Sequence, residues 1–467
     1  MPEDREPEDD FQEMLRRMLG GGAGGIDPAE FERMTGMSFD PAMLAGAMQQ
    51  LQGAFAAAQA GGDAIPWDQA TRQALHIANQ DGLSVTAGQK TDLDGALAVA
   101  RLWLGEATTV PELVAAPRTV TRGQWVEQTF PVWRELSEPV ATGMTDALMA
   151  SLVEQTPEDM REMVQGAGRL MRTIGGSLFA AQLGQVIGRL STEVIAGGDV
   201  GIPLLPAGEA VIVPQNFADF GRDLEIGQDQ LALYLGVREL AHARLFRHAK
   251  WLRLQVTSLV AEVARGYRFD PAQFEQIATT FDPAHPEQFR QAIESGALLP
   301  PRTEQQEQAL ARLESLLATI EGWVEVVTAD ATARLPRAEA IAETVRRRRA
   351  VGGPAEEALG TLVGLRLRPR RLREAAAMWR AVTDAVGVEA RDALWDYPDF
   401  MPTSADIDNP HALISRIKDR QHDRGDETPV DEIDDAIARI LAGEEPSTEP
   451  DGGGPAQDPG AGQDPEA

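Results

Sequence analysis

The stretch Leu235-Gly236-Val237-Arg238-Glu239-Leu240-Ala241-His242-Ala243 decides the fold, because it lies inside a strongly periodic segment, 229–248, that reads as one helix. On that helix Arg238 and His242 are four residues apart and project from one face, with Glu239 beside them. Towards the C-terminus a second helix is predicted over 252–265, with Gly266 as its stop. More helices follow over 274–293, 304–328, 337–349, 355–365 and 370–386. Towards the N-terminus, Ala210 to Pro214 reads as one short strand, and Pro214 points to an edge position. A Gly- and Pro-rich loop from Gly197 to Gly208 precedes it. Before that loop, Thr156-Pro157-Glu158-Asp159 has the signature of a helix start, and another helix is predicted over 144–153. Ala70, Ala74, Leu75 and Ala78, then Leu93, Ala96, Leu97, Val99 and Ala100, recur at helical spacing. The expected fold is mainly α, with a short edge strand beside a pair of helices that carries the chemistry.

The most apolar segment, 174–195, contains Gln182, Gln185, Arg189 and Glu193, which are costly at the centre of a bilayer. It reads as a buried helix, and Gly184 and Gly188, one turn apart, let a neighbouring helix come close. No membrane partner is expected. The chain of 467 residues has a formal net charge of -30, which favours solubility and disfavours broad attraction to nucleic acid or anionic lipid. It has no cysteine, so disulfides, thiolate metal sites and cysteine nucleophiles are excluded together. The acidic start, Met1 to Asp10, is unlike a secretory leader, and a cytoplasmic location is expected. Three parts are expected: a weakly ordered segment over 1–60, a helical domain over 61–425, and a Gly-, Pro- and acid-rich tail over 426–467 that cannot offset its ordering entropy.

Two imidazoles four apart on a helix bind zinc, and a Glu next to the first polarises the attacking water. Here the pattern is Arg-Glu-x-x-His. Twenty residues beyond His242 stands Glu262, at a spacing that suits a third, carboxylate ligand on the following helix. Taken alone, the five-residue pattern is weak, because Arg, Glu and His are common on solvated helix faces.

Longer stretches carry more weight. Thr121-Arg122-Gly123-Gln124-Trp125-Val126-Glu127, Pro131-Val132-Trp133-Arg134-Glu135-Leu136 and Leu183-Gly184-Gln185-Val186-Ile187-Gly188 resemble the zincin-like type 2 metallopeptidases. So do Ile202-Pro203-Leu204, Pro214-Gln215-Asn216, Ala249-Lys250-Trp251-Leu252, the run from Arg346 to Pro354, and the run from Leu367 to Glu374. The resemblance covers about residues 65 to 405. It implies a zinc-dependent metalloprotease or hydrolase, with Glu239 as general base and His242 and Glu262 as zinc ligands. Arg238 departs from the family pattern. A guanidinium stays protonated and has no lone pair to give a metal, so zinc as a cofactor is in doubt for this chain. An ion pair of Arg238 with Glu262 or Glu239 is the expected replacement.

Three functions follow from these residues. One is a pseudoenzyme or binding protein for an unidentified peptide or protein; another is an active metal hydrolase with a non-standard ligand set. The third is a non-enzymatic module using the basic run Arg346 to Arg349 and the cluster Arg366, Arg368, Arg370, Arg371 and Arg373. In so acidic a chain, intramolecular pairing of those arginines is the favoured reading, and nucleic acid is not an expected partner. His248, six residues past His242 and well round the helix from it, reads as a surface histidine; His76, His285, His411 and His422 are isolated in sequence, and Trp251 is placed to wall the cleft. The oligomeric state is not legible.

Overall fold

The computed structural model describes residues 65–82, 86–154, 161–222, 224–265, 302–351 and 370–426, with positions 353, 357, 360 and 362 between the last two. The helices expected over 274–293 and 355–365, the Thr156 start and both chain ends lie outside those residues or largely so. The chain divides into two compact units, Met1–Pro410 and His411–Ala467.

The first unit is mainly α. Its helices are α1 Trp67–Gln80, α2 Ala87–Ala107, α3 Arg122–Glu154, α4 Arg161–Glu193, α5 Pro214–Gly221 and α6 Gln228–His248. They continue with α7 Trp251–Arg265, α8 Glu304–Ala331, α9 Ala338–Val351, α10 Leu372–Asp392 and the single turn α11 Ser404–Asp408. Thr86 with Gln89 and Thr303 with Gln306 form capping boxes that start α2 and α8 by satisfying otherwise unpaired first-turn donors. The helix expected over 144–153 is the end of the longer α3, which runs through Pro131 and Pro139. Two strands, β1 Arg118–Thr119 and β2 Val211–Ile212, pair in parallel, Arg118 opposite Val211. On its other side Ile212 makes an isolated antiparallel bridge with Ala196. Pro214 opens α5, where its missing N–H costs no helical bond.

Helix α6 is central. Every residue from Tyr234 to Leu245 is buried, so the helix is enclosed rather than half-solvated. It packs against α2, α8, α9 and β2. Its charges are therefore taken out of water, which is what makes Arg238, Glu239 and His242 worth following. Helix α1 lies on α4 where Gly184 and Gly188 stand: a side chain at 184 would meet the Ala70 carbonyl oxygen at 2.4 Å. Among the described residues no helix is long and apolar enough to cross a membrane.

Candidate active site and its ion cluster

Arg238, Glu239 and His242 lie within about one turn of α6 and are all buried; Arg238 and His242 share one partner, and Glu239 faces another. The Glu239 carboxylate is held by two backbone amides. Gly198 N–H donates to Oε2 at 2.7 Å and Val211 N–H to Oε1 at 2.8 Å. Burial pushes its carboxyl up to about 8, against the pull of those amides towards the charged form. Both oxygens are engaged with the chain itself.

His242 meets Glu321 of α8, its Nε2 lying 3.2 Å from Oε1, while its Nδ1 lies 3.2 Å from the Arg238 carbonyl oxygen. Burial pulls the ring's pKa down, and the Glu321 charge opposes that. The Arg238 guanidinium donates from Nη2 to Oε2 of the same carboxylate. Arg349 of α9 adds a third contact, Nη2 to Glu321 Oε1 at 2.7 Å. Burial works against a charged Glu321, but Arg349 and Arg238 outweigh it and hold the carboxyl well below the usual range. One carboxylate thus ties together three helices.

The loop after α4 closes over this cluster. Arg349 Nη1 donates to the Asp199 carbonyl oxygen. Arg348 reaches both Asp199 carboxylate oxygens, at 3.0 and 2.9 Å. Two glycines let the loop lie this close. A Cβ on Gly198 would stand 2.6 Å from the His242 ring, and Gly201, at φ 82°, would put one 2.6 Å from Glu321 Oε1. A small cleft remains, lined in part by Leu204, Leu205, Pro206, Phe246 and His242.

Glu262, on α7, is placed elsewhere: its carboxylate pairs with Arg312 at 2.5 Å and is partly exposed. Sequence reasoning missed Glu321, although a signal exists. It falls on the buried stripe Leu317, Glu321, Val324 and Thr328, where a lone acid among apolar neighbours requires a partner. Trp251, expected at the cleft wall, instead stacks on Trp395 with ring centroids 6.4 Å apart, and Phe246 lines the cleft. His248 pairs with Asp396 at 2.8 Å. The run Arg346 to Arg349 is paired within the chain: Arg346 with Glu325 and Glu343, Arg347 with Glu343, Arg348 with Asp199, and Arg349 with Glu321. Arg370 and Arg371 pair with Glu314 and Asp408.

These residues do not fit zinc as they stand. His242 Nε2 and the Glu321 carboxylate face each other as donors, but the next corner is Arg238, which has no lone pair and whose charge repels a cation. Among the described residues no group of three or more His, Cys, Asp or Glu side chains is placed to hold a metal ion.

The architecture has a solved counterpart. A crystal structure of a candidate hydrolase with a novel fold, from Chloroflexus aurantiacus, superposes with a TM-score of 0.52 at 20% identity, covering 76% of this chain and 99% of that one. At that identity the likeness speaks for the fold. No curated protein matches the chain. The sequence pattern of one family, described as zincin-like metallopeptidase, matches residues 65–414. That span is most of the chain and contains α6, Glu321 and the arginines of α9, and on this match the chain belongs to the zincin-like metallopeptidase family.

Proposed function

We propose that this protein is a cytoplasmic, non-hydrolytic member of its family, a pseudoenzyme that works by binding a peptide or protein rather than by metal-assisted cleavage. The observation that carries this reading is the Arg238 guanidinium on Glu321, beside His242, where a metal would need a donor. A fixed cation there removes a ligand and repels the ion. Glu239 supports the same reading. It lines the cleft, but each of its oxygens accepts a backbone N–H, which commits it to holding the loop and β2 in place.

In this reading the cluster does the mechanical work of a metal: α6, α8 and α9 are joined through one carboxylate, and Arg348 and Arg349 hold the overlying loop. The module that would use free arginines to bind phosphate polymers is not favoured, because Arg346 to Arg349 all have acidic partners. The helical domain expected over 61–425 is the part that would carry the binding function.

Metal analysis tests the proposal. The purified protein is expected to hold no stoichiometric zinc, and a chelator is expected to leave its unfolding temperature unchanged. Stoichiometric zinc that is lost in a His242→Ala variant would overturn the proposal in favour of an active hydrolase with an unusual ligand set.

A further inference from the structure

We propose that this protein forms a two-fold symmetric dimer through the outer face of α2. The inference is independent of the metal-free reading above and concerns a different surface. Leu93, Leu97, Ala100 and Leu104 are the buried side of α2, which packs on α6 and α8. Its opposite side is open among the described residues. There Leu102 is 68% exposed and Val99 38%, and Thr91, Gly95 and Ala98 are exposed as well. No charge stands on the line Gly95, Ala98, Val99 and Leu102, although a quarter of the chain is charged. A contiguous apolar line of this kind on a surface helix calls for a cover.

The charges beside the line say what covers it. Successive residues turn about 100° round a helix, so Asp94 and Arg101 fall on one flank of the line and Asp92 and Trp103 on the other. Both pairs have the same midpoint, between Leu97 and Ala98. When two copies of α2 pair antiparallel about a two-fold axis at that midpoint, each flank meets its own copy reversed. Asp94 then faces Arg101 of the second copy, and by symmetry the contact is made twice. Asp92 faces Trp103 of the second copy and with it Arg334, whose guanidinium lies over the Trp103 ring, 5.0 Å from its centroid.

Both cations are available for this. Arg101 holds Glu112 at 2.7 Å yet keeps 39% of its side chain exposed, and Arg334 keeps 50%. The shape agrees with the charges. In the same register Leu102 of one copy comes down over Thr91, Asp92 and Gly95 of the other, as a knob into a hole. A Cβ added at Gly95, or at Gly88 two turns earlier, would meet nothing within 4 Å among the described residues, so that hole has a bare backbone floor. A parallel pairing instead sets Asp94 beside Asp94 and Arg101 beside Arg101, and like charges disfavour it.

A helix of another protein would have to reproduce both flanks, whereas a second copy carries them by construction. The contact is one pair of helices, at the low end of protein interfaces, so a dissociation constant in the micromolar range is expected. A net charge of -30 on each copy opposes association, and the measurement therefore belongs at physiological salt, where repulsion is screened over about 8 Å.

Sedimentation equilibrium of the full chain across a range of concentrations tests the proposal, with circular dichroism to confirm that each variant is folded. Leu102→Glu removes an apolar knob from each copy and sets an acid against Asp92, and it is expected to weaken the dimer at least about thirtyfold. Asp94→Arg and Arg101→Asp, made singly, each place like charges together and are expected to weaken it at least about tenfold. Made together they exchange the two signs, and the dimer is expected to return to within about threefold of the unsubstituted protein. Because the chain has no cysteine, one introduced thiol reads the geometry directly. Under mild oxidation Ala98→Cys, beside the axis, is expected to give a disulfide-linked dimer, and Gly88→Cys, far from it, is expected not to. A protein that stays monomeric up to about 300 µM would overturn the inference. So would a dimer indifferent to Leu102→Glu, or folded charge variants whose combination restores nothing. Where the Arg101→Asp variants do not fold, the two cysteine variants decide, and linkage at 88 or none at 98 rejects the antiparallel pair.

Discussion

Two buried carboxylates, Glu321 and Asp392, collect many donors, and they do so in opposite ways. Asp392, at the end of α10, accepts from the Thr108 hydroxyl at 2.6 Å, Thr109 N–H at 2.8 Å and Trp323 Nε1 at 2.9 Å. Among the described residues its one close cation is its neighbour Arg391, at 2.7 Å. Neutral donors fill its lone pairs and one charge balances it. Glu321 instead faces two guanidiniums and an imidazole, and part of the balancing negative charge lies outside it, on Asp199. A carboxylate filled mostly by neutral donors is a local hydrogen-bonding hub. One that faces two guanidiniums is the centre of an ion cluster, whose stability depends on its charges staying together.

The largest expected effect breaks this comparison at its centre. Glu321→Leu leaves two buried guanidiniums without their partner and is expected to cost about 3–5 kcal/mol in urea unfolding. Adding Arg238→Met and Arg349→Met is expected to return most of that, since removing a whole buried ion cluster is far milder than breaking it. Asp392→Leu is expected to cost about 3 kcal/mol, and removing Arg391 as well is expected to give little back, because the threonine and tryptophan donors stay unpaired. Equal rescue in the two clusters would erase the distinction.

A middle-sized effect concerns pH. Glu239 is pushed up to about 8, so between about 4.5 and 8 the folded chain keeps a proton that the unfolded chain releases. Its contribution to stability is therefore complete below about 4.5 and declines as pH rises towards 8. Glu321, held low, behaves in the opposite sense: its contribution is present above the ordinary carboxylate range and is lost as pH falls through its depressed value. Glu239→Gln is expected to flatten the first slope when unfolding free energies are compared across that window. An unchanged slope would show that another group carries it. The smallest effect is at the surface. Arg347→Ala is expected to change stability by less than about 0.5 kcal/mol, because its pair with Glu343 is solvated, with the arginine side chain 78% exposed.

The helices were legible because burial imposes a 3.6-residue period, and α6, α7, α8 and α9 lie within a few residues of the expected spans. The Arg238 and His242 spacing was legible for the same reason. Glu321 was not, because it is 79 residues from His242 in sequence and only packing of α8 on α6 brings it near. Arg349 was hidden in a run of four arginines. Successive residues on a helix point about 100° apart, so four identical side chains reach different partners, and the sequence does not mark the one that turns inward. Glu262 has the spacing of a ligand, but α7 directs it to Arg312.

The carboxylate of Glu239 also sets a lifetime. The amide protons of Gly198 and Val211 end on it rather than on a backbone carbonyl, so each exchanges with solvent only when loop or strand parts from a side chain of the enclosed α6. What looks like the lightest part of the fold is thereby pinned to its most enclosed helix, and slower exchange at these two amides than in Glu239→Ala is the expected sign of it.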